Sequence, residues 1–282
     1  MDQRLYVIAK PAVFAKARRS PKHNPNTTRR LVVRKDGVTQ AYWVGVGEHV
    51  ADKLKRGLRV WQVAISLRAS RIIPSETPRQ PVPLQTMEAA REYAGEAHRE
   101  LVPLTERLAK ATGGKAEPRE SLKSEERIQR KLDMEYQGDF TRVVDISGSR
   151  IIYKTLNKLY KGLAYMLEAP ELQGRIVRFK DRFAHPAPSG YRDILMNLKM
   201  SNGAIVEMRL EIEAFNKAAK EEHNYYKESE MLLYQLEIEH RAPTFDEAKR
   251  LRWLSAKAKE IYAEAWKDVI IRNYKGVQDA DS

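Results

Sequence analysis

Residues 194–212 constrain this chain more than any other stretch. Ile194, Met196, Leu198 and Met200 recur at every second position, Ser201-Asn202-Gly203 follows, and Ala204, Val206, Met208, Leu210 and Ile212 resume the alternation. A period of two is a strand with one apolar face, and Asn-Gly between two such runs is a hairpin signal. A two-residue Asn-Gly loop would set Leu198 opposite Glu207 and mix polar with apolar. A three-residue loop, Ser-Asn-Gly with Gly203 left-handed, sets Leu198 opposite Val206 and Met196 opposite Met208. The three-residue loop is therefore expected. The other face of the hairpin then carries Asn197, Glu207, Arg209 and Glu211.

That polar face needs a reason, because an acid on a central strand is costly unless it is paired, wet or bound to metal. A further strand is expected over 143–153 (VVDISGSRIIY), mostly apolar with one acid, Asp145. Asp145 and Glu207 are a natural pair of Mg²⁺ ligands, since Mg²⁺ held with a nucleotide takes one or two carboxylates. Equally, Glu207 can pair with Arg209 or Arg150 in a structural ion pair on a solvated face. The residues alone leave both readings standing.

Around these strands the pattern is helical. A helix is expected over 84–112, stopped by Gly113-Gly114. Gly-Gly-Lys115 is no phosphate loop, because the earlier glycine is missing and Ala116 follows the lysine. A helix over 121–136 places Lys123, Arg127, Arg130 and Lys131 on one face. Such a face suits a polyphosphate, and equally suits plain solvation. Further expectations are a helix over 155–168, strands over 175–180 and 191–200, and a long helix over 213–240. Another helix is opened by Thr244 with Glu247 as a capping box. Leu251, Leu254, Ala258, Ile261 and Ala265 form its buried stripe. Met231, Leu232, Trp253 and Trp266 read as packing.

The charge is uneven. Of the 51 Lys+Arg and 38 Asp+Glu, residues 1–80 hold 17 and 5, so nearly all of the +13 lies there. Pro74, Pro78, Pro81 and Pro83 read as a stiff extended linker. The expected division is a basic module at 1–80 and a second domain at 84–276. In the module, β-branched and aromatic residues around Lys35-Asp36-Gly37 predict a hairpin over 31–46, and 59–68 reads as another strand. Arg18, Arg19, Lys22, Arg29 and Arg30 lie in a loop rich in Pro and Asn. Beside Tyr42 and Trp43 such a loop can hold RNA by phosphate contact and stacking. The plainer reading is a solvated arm with both aromatics in a small core.

Composition removes several function classes. Cysteine is absent, which excludes disulfides, thiolate metal sites and a cysteine nucleophile. No apolar run has the length to cross a bilayer, and the N-terminus lacks a signal-peptide pattern. The expectation is a cytoplasmic site of action without membrane partners.

Five segments in order resemble the RelA/SpoT-type alarmone synthetase domain over roughly 119–230. These are Lys123 to Leu132 (KSEERIQRKL), Val144 to Ile151 (VDISGSRI), Lys180 to Phe183 (KDRF) with Pro188 to Arg192 (PSGYR), Ile205 to Leu210 (IVEMRL), and Glu222-His223 with Tyr226-Lys227. Toxic small synthetases and polymorphic-toxin members are the nearest kin it suggests. The resemblance implies an α+β fold: a mixed, mostly antiparallel sheet of about five strands flanked by helices, like a nucleotidyltransferase. It implies transfer of the β,γ-diphosphate of ATP, with Mg²⁺, to a ribose 3′-hydroxyl of a purine nucleotide. Lys123, Arg127, Arg130 and Lys131 would hold ATP phosphates. Asp145 and Glu207 would bind the metal, Glu207 also acting as base. Tyr191 would stack on the acceptor base, and Lys180 and Arg192 would meet the acceptor. Arg150, Arg209, Asn197 and His223 would support the site.

Three positions depart from the family pattern. Ser121 stands where an adenine-stacking Arg is usual, with Arg119 nearby but out of step. Leu195 replaces a phosphate-binding His, and Arg209 replaces a Gln. These departures admit an adenine nucleotide as acceptor. Alternative outcomes are pyrophosphorylation of the tRNA 3′ end, or a degenerate fold that binds RNA or protein. A growth-inhibiting toxin implies an antitoxin or immunity protein as partner, and export by a signal-independent apparatus.

Overall fold

The computed structural model describes residues 28–35, 38–45 and 58–275. Contacts divide the chain into two compact units, Met1–Ala64 and Ile65–Ser282.

In the first unit, β1 (Thr28–Lys35) and β2 (Val38–Gly45) form an antiparallel hairpin. Lys35 pairs with Val38 and Arg30 with Trp43, as the turn signal at Asp36-Gly37 predicts. Arg29 and Arg30 thus belong to a strand, not to a basic loop. Arg18, Arg19 and Lys22 lie outside the described residues, as do the side chains of Tyr42 and Trp43.

The strand expected at 59–68 is instead a helix, α1 (Val60–Ile72). Its β-branched residues suggested a strand, but the buried positions Val63, Ser66, Ala69 and Ile73 follow the helical spacing of three and four. The contact division falls inside this helix rather than at residue 80.

The second unit is built on a five-stranded sheet of order β3-β4-β7-β6-β5. Its strands are β3 (Lys115–Pro118), β4 (Gly148–Tyr153), β5 (Ile176–Asp181), β6 (Ile194–Lys199) and β7 (Ile205–Ile212). The β4–β7 pair is parallel and every other pair antiparallel. The fold is α+β with a mixed, mostly antiparallel sheet, as expected. The hairpin register is the predicted one: Leu198 pairs with Val206 and Met196 with Met208. Met200 and Ala204 close a three-residue loop in which Gly203 has φ +91°. A side chain there would be strained.

One sheet face is apolar. Ile151, Phe179, Met196, Leu198, Val206, Met208 and Leu210 are buried on it beneath α2 (Met87–Thr112) and α4 (Leu156–Met166). Thr86 caps α2 through Ala89 N, and Gly113, left-handed, ends it. Two hydroxyl contacts tie α2 to β4: Thr105 Oγ1 donates to Ser149 Oγ, and Thr112 lies 2.7 Å from the Tyr153 hydroxyl. The chain leaves β7 directly into α5 (Glu213–Ile238), which pairs with α6 (Phe245–Lys275). The capping box is present: Thr244 N donates to Glu247 Oε2, and Glu247 N to Thr244 Oγ1. Of the residues read as packing, Trp266 joins Phe183 and Phe215 in an aromatic cluster, whereas Met231 is 64% exposed.

Two further differences matter for the site. The helix expected at 121–136 is shorter: α3 spans Glu125–Lys131, then a π turn runs over Leu132–Tyr136. Lys123 therefore precedes the helix and is not on a shared face with the other three cations. The strand expected from 143 enters the sheet only at Gly148, because the carbonyls of 143–146 are taken by side chains and by Lys123 N.

Among the described residues no helix is long and apolar enough to cross a membrane.

Candidate active site

The second sheet face is polar, and its rows can be read across the strands. One row holds Glu117, Arg150, Arg209, Leu195 and Lys180; the next holds Gly148, Glu207, Asn197 and Arg178. Gly148 beside Glu207 brings the segment that bears Asp145 to β7.

Asp145 is 9% exposed and takes two ammonium groups on one oxygen. Lys123 Nζ lies 2.8 Å and Lys131 Nζ 2.7 Å from Oδ2. Oδ1 is buried without a hydrogen-bond partner. Burial alone would raise the Asp145 pKa, but the two lysines hold it well below the carboxylate range. The lysines respond in opposite directions. Burial pushes Lys123 down to about 8, since one carboxylate cannot fully compensate two cations. Burial also opposes charge on Lys131, but Asp145 outweighs it and holds Lys131 above its ordinary value.

Arg119 stands behind the acid. Its Nη1 donates to the Asp145 and Ile146 carbonyls at 3.0 and 3.2 Å. Burial lowers its pKa, and both Asp145 and Glu207 oppose that shift. Arg130 turns elsewhere, to Glu126 at 2.8 Å and Glu230 of α5 at 3.1 Å, while Arg127 is exposed.

Glu207 is 8% exposed and accepts from Arg209 Nε at 2.8 Å, so the structural ion pair open at the sequence level is present. Arg209 also lies 3.9 Å from Asp193, which Arg182 approaches at 3.1 Å. Acids and guanidiniums thus alternate along the face: Arg182, Asp193, Arg209, Glu207. Burial opposes charge on Arg209, yet Glu207 and its neighbours hold its pKa well above the ordinary value. Arg150 bridges Glu117 at 3.5 Å and Glu211 at 3.6 Å.

Tyr191 donates to Glu211 at 3.1 Å and packs edge-on against Phe215 and Tyr262. Burial raises its pKa well above the usual value. Lys180 is exposed on the edge strand β5, its pKa lowered by burial and by Arg178 and Arg182. Arg192 does not join this group. It donates to the Phe183 carbonyl at 2.8 Å, and its guanidinium lies 4.0 Å from the Trp266 ring centroid. His223 is exposed on α5 and is not among the partners of either acid.

Sequence reasoning missed Asp193, Arg182 and Arg178. Their only signal was position: Arg182 inside the segment KDRF, Asp193 directly after PSGYR, and Arg178 on a strand whose register was not yet fixed.

Asp193 is fully buried, and burial raises its pKa to about 6 from an ordinary 3.8 despite Arg182 and Arg209. The folded protein therefore keeps a proton that the unfolded chain releases between those values. Stability from this group rises as pH falls through about 6 and is absent above it. Asp193→Asn should gain on wild type by about 2 kcal/mol between pH 4.5 and 7. Paired melting curves check this, and a pH-independent difference would reject the assignment.

The residues present suit a divalent cation bound together with phosphates. Asp145 lies three residues before Gly148, the strand partner of Glu207, and one oxygen of Asp145 is unpartnered. Among the described residues no group of three or more acidic, His or Cys side chains gathers, so protein ligands would be these two.

Residues 120–231 match the family model described as a region found in RelA/SpoT proteins. No curated protein matches the chain. Three solved structures are similar in shape. The type VI effector Tas1, in complex with its immunity protein, is 19% identical with a TM-score of 0.46, covering 66% of this chain and 98% of that one. Small alarmone synthetase 2 of Bacillus subtilis is 22% identical with a TM-score of 0.42, covering 67% and 97%. Small alarmone synthetase 1 of the same organism is 22% identical with a TM-score of 0.43, covering 68% and 97%. Over residues 120–231 this chain is thus RelA/SpoT-like, matching the region found in those proteins.

Proposed function

We propose that the chain transfers the β,γ-diphosphate of ATP to a ribose 3′-hydroxyl of a purine nucleotide and acts as a growth-inhibiting toxin held by an immunity or antitoxin protein. One observation carries the enzymatic reading: two lysines converge on a buried carboxylate whose segment runs beside the strand that bears Glu207. Diphosphate transfer needs cations on the migrating group, an oriented hydroxyl and a site for its proton.

Lys123 and Lys131 turn from Asp145 to the ATP phosphates, and Arg127 and Arg130 extend the cationic edge. Asp145 and Glu207 hold Mg²⁺, which when bound neutralises phosphate charge. Glu207 leaves Arg209 and takes the proton of the acceptor hydroxyl as that oxygen bonds to the β-phosphorus and AMP departs with the bridging oxygen. Tyr191 and Lys180 face the acceptor, Lys180 contributing an exposed charge for phosphate. Arg192 acts indirectly, fixing the acceptor loop on Trp266.

Incubation with γ-labelled ATP, Mg²⁺, separate purine nucleotides and bulk tRNA tests this. Label is expected in a purine nucleotide. Label in tRNA would move the acceptor to its 3′ end, and no transfer to either would reject the reading. Growth arrest on expression, abolished by Glu207→Gln, tests the toxin role.

A further inference from the structure

Apolar packing explains the register of β6 and β7. It does not explain what fixes the spacing of Asp145 and Glu207. Residues 143–146 run beside β7 outside the ladder, which begins with Glu207 N donating to the Ser147 carbonyl at 3.1 Å and Gly148 opposite Glu207. Two buried side-chain amides occupy the place of the missing backbone bonds.

Gln80 is 6% exposed. Its Nε2 donates to the Val143 carbonyl at 3.1 Å and the Ile205 carbonyl at 3.0 Å, and its Oε1 accepts from Ile205 N at 2.8 Å. One residue along, Asn197 Nδ2 donates to the Val206 carbonyl at 3.1 Å and the Val144 carbonyl at 3.5 Å. Gln80 thus bridges 143 to 205, and Asn197 bridges 144 to 206. The next residue on each segment is the acid: Asp145 on one, Glu207 on the other.

Gln80 is held in turn. Its own N–H donates to the Thr141 carbonyl at 2.7 Å, and the preceding Arg79 pairs with Asp139. Upstream, the Pro74 carbonyl accepts from Phe179 N at 2.9 Å, and the Ser75 carbonyl from Arg178 Nε at 3.1 Å. Arg178 Nη1 donates to Asn197 Oδ1 at 3.3 Å, which closes the network. The proline-rich segment expected to be a linker is a strap across the sheet. Its prolines keep it extended, and its carbonyls and one amide side chain do the binding.

We propose that Gln80 is a positioning residue of the active site. With Asn197 it sets the separation of the Asp145 and Glu207 backbones, which makes residues 74–80 part of the catalytic unit although they precede the family segment. The inference rests on Asp145 and Glu207 being the metal-binding pair. Only a glutamine meets the demand at this depth. Glutamate would set a carboxylate against two carbonyls, and methionine would leave Val143 O, Ile205 O and Ile205 N without partners.

The test titrates the full chain with Mn²⁺ alone, read by electron paramagnetic resonance, for wild type, Gln80→Met and Leu108→Ala. Leu108 is buried in α2 on the apolar face, so its truncation lowers the melting temperature without touching the brace. Gln80→Met is expected to weaken Mn²⁺ binding about tenfold, as loss of a supporting partner does. It should also lower kcat and leave the KM for ATP unchanged. Leu108→Ala should bind Mn²⁺ as wild type does. If Gln80→Met does not fold, Gln80→Glu keeps the shape and the Ile205 N bond and should show the same weakening. Wild-type affinity in the Gln80 variants, or equal weakening in Leu108→Ala, overturns the brace. Mn²⁺ binding that Asp145→Asn does not weaken overturns the metal pair itself, and the brace with it.

Discussion

Glu207→Gln should lower diphosphate transfer by about 10³-fold, the scale of losing a general base. Glutamine keeps the length of the side chain and an oxygen that can still accept from Arg209 Nε, so the alternation Arg182, Asp193, Arg209 stays in place. The melting temperature should move little. ATP binding should persist, because Lys123, Lys131 and Arg130 stand on or before α3 rather than on β7. What is lost is the negative charge, and with it both the proposed proton acceptor and half of the proposed metal pair. Labelled-diphosphate transfer and nucleotide binding, measured on the same preparation, separate these effects. Transfer retained within tenfold of wild type would remove Glu207 from the chemistry.

Asp145→Asn should be the most destabilising single change in the site. It leaves two ammoniums, on Lys123 and Lys131, around a neutral amide, and Lys123 is only 8% exposed. Removing one partner of a buried ion pair costs about 3–5 kcal/mol. In a unit of this size that is about 10 °C of melting temperature. Adding Lys123→Met to Asp145→Asn should recover part of the loss, because the uncompensated cation goes too. Acid should mimic the substitution. The Asp145 pKa is depressed in the folded state, so its stabilisation is present above the ordinary carboxylate range and is lost as pH falls below it. A double variant no more stable than Asp145→Asn would show that the two lysines find other partners without cost.

With Lys123 near 8, its ammonium is lost as pH rises through that value, so ATP binding should weaken there if Lys123 makes the proposed phosphate contact.

Much of this was legible in the chain. The period-two runs on either side of Ser201-Asn202-Gly203 determined the β6–β7 register, because a one-residue slip would turn Glu207 onto the apolar face and Met208 onto the polar one. That register alone placed Asn197, Glu207, Arg209 and Glu211 on one face. The capping box at Thr244 and the stop at Gly113 are local signals and hold locally. The element at 59–68 was misjudged because β-branched residues suggest strands, whereas burial spacing is decided by tertiary packing.

The sequence by itself determined which residue types meet across β6 and β7, because side-chain alternation and loop length leave one register that buries the apolar set. Only the tertiary structure decided the company of Asp145. Lys123 and Lys131 reach it from 22 and 14 residues away along the chain, and Gln80 spans 125 residues to Ile205. Such contacts depend on where a strand leaves its ladder and which side chain fills the gap. That is set by packing between distant segments, and no local period records it.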